Sequence, residues 1–209
     1  MKPAPRPQGR EAIKAWHRQK IIDATIDVIT THGIAGTTVA RVVDLAEVSM
    51  GLVNVHFRSK QALLSEVLQQ MADRYRTHWR SRLDAAPSEP GARLMALLLA
   101  DLDPEVLNLK TLGVWFAFRA QVRAKPEYLE LAGMREREQM RETIELLSAI
   151  NRATGKRHDP ATLARLLAWT IEGLWAEYYL YPGDFDRDRA IASIDLLLDS
   201  VYPGYYEPL

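Results

Sequence analysis

A chain of 209 residues, 47% hydrophobic and 26% charged, is long enough to bury a substantial core in one or two domains. It has no cysteine, which excludes disulfides and thiolate metal sites; the opening MKPAPRPQGR lacks the apolar stretch of a secretory signal, and the longest apolar run, residues 94–100, is far short of the ~20 residues that span a bilayer, so a cytoplasmic protein is expected. The 27 basic and 27 acidic residues balance, yet residues 1–60 carry nine against five, a net of +4 that leaves −4 on the remainder, which suits one end facing nucleic acid.

In chain order, residues 1–9 hold Pro3, Pro5 and Pro7 and read as a disordered N-terminal arm. From Arg10 to His32 the apolar residues Ile13, Trp16, Ile21, Ala24, Val28 and Ile29 recur at roughly helical spacing, and Gly33 offers a left-handed stop. Lys14, Arg18 and Lys20 on this helix are expected to face phosphate or solvent. Thr37 can cap a short helix to Ala46, with Val39, Val42, Val43 and Ala46 on its apolar face; Ser49 can cap a second, Met50 to His56, with Leu52, Val53 and Phe57 inward. Two short helices around a three-residue break fit a helix-turn-helix, whose second helix enters the DNA major groove, and equally any small helical corner.

Ser59 can cap a long helix to about Ala85, striped by Leu63, Leu64, Val67, Leu68, Met71, Tyr75 and Trp79. Pro87, Pro90 and Gly91 then break the chain. Helices are predicted over about 93–102 and 106–125, over 127–153 after the helix-starting Pro126, and over 160–181 and 186–202. No segment alternates as a strand and no repeat is visible, so the fold class is all-α with about nine helices. The expected domains are 10–60, a three-helix DNA-binding domain, and 61–209, a ligand-binding and dimerisation domain.

The middle of the first domain resembles the TetR family of one-component repressors. The resemblance rests on Leu45-Ala46-Glu47-Val48-Ser49, on His56-Phe57-Arg58-Ser59-Lys60, and on Leu63-Leu64 after them. Two positions depart from the family pattern. Glu47 stands where the turn usually has Gly and is asked to accept a left-handed backbone, and Asn54 replaces a frequent Tyr. The resemblance implies DNA contacts from Thr37, Thr38, Ser49, Met50, Gly51, Leu52, Asn54, Val55, His56 and Lys60, the last two at backbone phosphate.

Enzyme motifs are missing: there is no Gly-rich phosphate loop, no His-Glu-x-x-His and no Gly-x-Ser-x-Gly, and the five His are scattered. No catalytic residue, metal site or cofactor is expected. Aromatic residues concentrate in the second half, at Trp115, Phe116 and Phe118 and then at Trp169, Trp175, Tyr178 and Tyr179, with Glu172 among the later group. At helical spacing Glu172 can point where two rings point; a carboxylate among rings suits a cation, and the same rings could equally be plain core.

Gly113-Val114-Trp115-Phe116-Ala117-Phe118 and Ile171-Glu172-Gly173-Leu174-Trp175 resemble the choline-responsive repressors of betaine synthesis within the same family. By implication the partners are palindromic operator DNA and choline or a similar quaternary amine, with Trp115, Phe118, Trp169, Glu172, Trp175, Tyr178 and Tyr179 around the ligand. A homodimer is expected through the last two helices, burying parts of Ile191, Ile194, Leu197, Leu198 and Val201. Two alternatives stand beside this reading: a repressor that senses another apolar or cationic molecule, and a helical binding protein that does not touch DNA.

Overall fold

A computed structural model describes residues 8–123 and 125–205. The described residues form nine helices and no strand: α1 Arg10–Gly36, α2 Val39–Ala46, α3 Met50–His56, α4 Lys60–Ala85, α5 Pro90–Ala100, α6 Leu109–Arg119, α7 Pro126–Thr154, α8 Pro160–Leu180 and α9 Arg187–Val201. No helix among them is long and apolar enough to cross a membrane. Of the arm expected over residues 1–9, all but residues 8 and 9 lies outside the described residues.

Two local expectations are corrected. Gly33 does adopt a left-handed φ of 65°, but with ψ at 174° it kinks the chain, and a last turn reaches Gly36. The α2 cap is Thr38, whose hydroxyl accepts from the Arg41 N–H at 3.3 Å; Thr37 is buried and its hydroxyl donates to the Gly33 carbonyl at 2.7 Å. Thr37 therefore ties off the end of α1 instead of opening α2.

The chain divides into two compact units. The first holds residues up to Met71 together with Gly113–Leu129. Ile21, Ile22 and Ile29 of α1, Val42 of α2, Val53 of α3 and Leu63, Leu64 and Val67 of α4 are all buried there. The later segment carries the buried Trp115, Phe118 and Tyr128. Its attachment is polar as well as apolar. The Gln61 amide donates to Tyr128 Oη at 2.9 Å and to Glu127 Oε1 at 3.1 Å, and accepts from Lys125 Nζ at 2.5 Å. Phe118 meets the Tyr128 ring edge to face, with centroids 5.0 Å apart.

The second unit holds Ala72–Leu112 and the chain from Glu130 on. Its buried residues include Trp79 on α4, Leu94, Leu97 and Leu98 on α5, Leu147 and Ile150 on α7, Leu167, Ile171 and Trp175 on α8, and Ile194 and Leu198 on α9. Ile194 and Leu198 are thus buried within the chain itself, which corrects the expectation that they are left for a partner; the large apolar residue exposed on α9 is Leu196. Asp159 starts α8 and Asp186 starts α9 as side-chain caps.

Candidate functional site

The helix-turn-helix is set by local chemistry. Ser49 caps α3, its hydroxyl accepting from the Leu52 N–H at 3.2 Å, and Val53 is the buried side of that helix. Between the two helices Glu47 sits at φ 49°, ψ 49°, the only non-glycine with positive φ among the described residues. Its carboxylate lies 3.5 Å from Lys20 Nζ, and that ammonium stands over the Trp16 ring. Arg18 does not face outward as expected. Its guanidinium stacks on Phe57 and donates to Glu66 at 2.5 Å, holding the Glu66 carboxyl below its usual range and clamping α1 to α4.

Of the residues expected at DNA, Thr38, Ser49, Met50, Gly51, Asn54 and Val55 are exposed, Leu52, His56 and Lys60 are half-buried, and Thr37 is turned inward. Lys60 Nζ donates to the Ile34 carbonyl at 3.4 Å. Burial pushes the His56 imidazole below its usual pKa, and the basic neighbours His17, Lys14 and Arg18 push the same way. Three basic side chains of α1 therefore act on the end of α3. Lys14 is exposed, as expected of a residue facing phosphate or solvent, whereas the link from His17 to His56 is not legible in sequence, because nothing in the spacing relates α1 to the end of α3.

In the second unit a small cavity of about 80 Å³ is lined by Tyr75, Asp101, Gln139, Ile171, Glu172 and Trp175, among others. Trp175 is buried; its indole N–H donates to the Asp101 backbone carbonyl at 2.9 Å, and its ring meets Tyr75 nearly at right angles, centroids 6.2 Å apart. The Tyr75 hydroxyl donates to the buried Asp101 carboxylate and lies 2.8 Å from Gln139 Oε1, while Gln139 Nε2 donates to Asp101 at 3.2 Å. Two rings, two carboxylates and an amide therefore border one compact space.

The expected ligand residues separate. Glu172 and Trp175 line this cavity. Trp169 is 64% exposed and Tyr179 is exposed too, both away from the lining, and Tyr178 packs edge to face on Phe185. Trp115 and Phe118 belong to the first unit. Tyr75, Asp101 and Gln139 were missed. Tyr75 reads in sequence as one more member of the α4 apolar stripe, and Asp101 as a helix-ending acid; only the fold joins them. Among the described residues no group of acids and histidines is arranged to hold a metal ion.

Residues 21–67 match the family described as bacterial regulatory proteins, tetR family, and residues 90–203 match BetI-type transcriptional repressor, C-terminal. The chain is 31% identical over 191 residues to the HTH-type transcriptional regulator BetI of Paraburkholderia xenovorans LB400, covering 88% of this chain and 94% of that one. The protein of the same name from Burkholderia thailandensis E264 is 32% identical over 189 residues, covering 87% and 93%. Among solved structures, a transcriptional regulator from Pseudomonas aeruginosa PAO1 superposes with a TM-score of 0.82 at 26% identity, over 94% of this chain and 93% of that one. A regulator from Saccharomonospora viridis in complex with choline gives 0.78 at 17% identity, over 88% and 96%, and shares the fold. With a helix-turn-helix head and a C-terminal region that both match, this chain belongs to the TetR family of bacterial transcriptional regulators, in its BetI-type branch, and is not an enzyme.

Proposed function

We propose that the protein is a cytoplasmic, homodimeric repressor that holds a palindromic operator through two copies of α3 and responds to choline or another compact quaternary amine bound in the second unit. The observation that carries the effector reading is the cavity itself. The rings of Tyr75 and Trp175 line it, and Asp101 and Glu172 add carboxylates, a setting of aromatic and negative groups that suits a cation. Its size favours a small ligand, since about 80 Å³ is well below the roughly 300–1,000 Å³ of clefts that take drug-sized molecules. The choline bound to the structural neighbour supports the same reading.

The dimer reading is supported by α8 and α9. Leu166, Trp169 and Leu180 are exposed on α8 and fall along one face with Gly173, where an added Cβ would meet nothing within 4 Å; Leu196 is exposed on α9. An isologous contact through this face gives two reading helices for two half-sites. Effector binding lowers operator affinity to the extent that choline prefers the conformation that binds DNA poorly, with the continuous α4 as the carrier of the change.

Calorimetry with choline and its uncharged isostere 3,3-dimethylbutanol tests the cation reading. Choline should bind at least tenfold tighter, and Glu172→Gln should narrow the gap. Equal affinity for the two would remove the cation argument. A bulkier apolar effector is the second reading. It draws on a larger hollow of about 840 Å³ along α5, lined by Met95, Ala96, Leu99, Arg82 and Tyr205. Protection of the fold by uncharged aromatics and not by quaternary amines would favour it. A mobility-shift assay with the upstream region of its own gene separates both from a protein that does not bind DNA.

A further inference from the structure

Among the described residues of the first unit, the large apolar side chains left exposed are Leu45, Met50 and Val55, at 53%, 45% and 72%. All three lie on the helix-turn-helix. The rest of that unit turns its large apolar side chains wholly or partly inward, so this exposure does not come from a shortage of core. On α3 the exposed residues are Met50, Gly51, Asn54 and Val55, two pairs at i,i+4 spacing that stand together on the side away from the buried Val53. An added Cβ at Gly51 would meet only Ser49 Oγ, at 3.9 Å. Packing therefore gives no reason for a glycine in a helix, where it is a poor choice, and a bare backbone there lets another surface come close.

We propose that α3 reads its half-site chiefly through thymine C5-methyl groups packed against Val55 and Met50, with Asn54 supplying one hydrogen-bonded contact to adenine. This rests on the repressor reading above. The thymine methyl is the apolar feature of the major-groove edges, and Asn is matched to the N6–H and N7 of adenine. Guanine or cytosine beneath Val55 and Met50 would instead bury O6, N7 or N4–H₂ against side chains that cannot pair with them. The Ser49 hydroxyl accepts from the Leu52 N–H, which fixes its oxygen at the start of α3 as the cap. The base pairs under α3 are accordingly A·T, and the protein recognises them by a methyl group as much as by hydrogen bonds.

The test is selection of binding sites from random duplex DNA by the full chain, followed by anisotropy titrations in which each half-site thymine is replaced singly by deoxyuridine. At one or two positions per half-site the missing methyl should weaken binding roughly fourfold. In Val55→Ala, whose side chain is exposed and whose melting curve should match the parent, most of that difference should vanish at one position and persist elsewhere. Half-sites rich in G·C under α3, or deoxyuridine bound as tightly as thymine at every position, overturn the proposal while leaving a DNA-binding repressor. Enrichment of no sequence at all overturns the repressor reading itself, and the methyl reading with it.

Discussion

Glu47 offers a direct measurement of what the turn of the helix-turn-helix costs. Its backbone, at φ 49°, ψ 49°, lies in the left-handed region, where a side chain costs roughly 1–2 kcal/mol and glycine pays no such penalty. Its carboxylate returns little of that, because the pair with Lys20 spans 3.5 Å and the Glu side chain is 84% exposed, which limits the pair to about 0–0.5 kcal/mol. Glu47→Gly removes the steric cost, forfeits the ion pair, and gives the unfolded chain freedom worth about 0.4–1 kcal/mol. Glu47→Ala loses the same ion pair and keeps the steric cost. The difference between the two variants isolates the backbone, and it should favour glycine by about 0.5–1 kcal/mol. In urea, at a slope of about 2 kcal/mol/M, this is a midpoint about 0.3–0.5 M higher for the glycine variant, followed by circular dichroism. A glycine variant that unfolds at or below the alanine variant would refute the reasoning.

Other perturbations reach different parts of the molecule. Gly51→Ala should leave stability unchanged or raise it by up to about 1 kcal/mol, since the new methyl meets nothing closer than 3.9 Å, yet weaken operator binding in a titration; tighter binding would end the close-approach argument. His56 titrates below its usual 6.5 in the folded protein, so its contribution to stability is present above that value and is lost as pH falls toward the lowered one. Phosphate works in the opposite sense by favouring the imidazolium. Operator affinity at fixed salt should therefore rise as pH drops below about 6.5 in the parent and flatten in His56→Gln, as measured by anisotropy. Tyr75→Phe deprives the buried Asp101 carboxylate of a hydroxyl donor and should lower stability by about 1–3 kcal/mol, read as a melting shift, together with weaker choline binding by calorimetry.

The features legible in sequence were the ones decided within a few residues. Ser49 before an apolar turn had to cap a helix, and a residue at the position of Glu47 had to take the left-handed turn; both are so. Thr37 shows the limit of that reasoning: it is expected to cap α2, but its hydroxyl donates back to Gly33 and the cap falls to Thr38. The cavity was half legible. Glu172 and Trp175 share a helix face at i,i+3 spacing, whereas Tyr75, Asp101 and Gln139 arrive from α4, the end of α5 and α7, with the first two 26 positions apart and Tyr75 and Gln139 64 positions apart. Periodicity reports that Trp115 and Phe118 face inward; it does not report which interior receives them.

The bonds of Gln61 with Lys125, Glu127 and Tyr128 bear on how such regulators can be recombined. A cut at residue 60, where the reading head ends in sequence, keeps Gln61 with these partners but parts Arg18 from Glu66 and leaves residues 61–71 and 113–129 facing a foreign head. The transplantable piece is discontinuous: residues up to Met71 and Gly113–Leu129 travel together. A chimera built to give this sensor a new operator should therefore carry both segments from one parent, and lineages that exchange heads should show paired change at Gln61 and Tyr128.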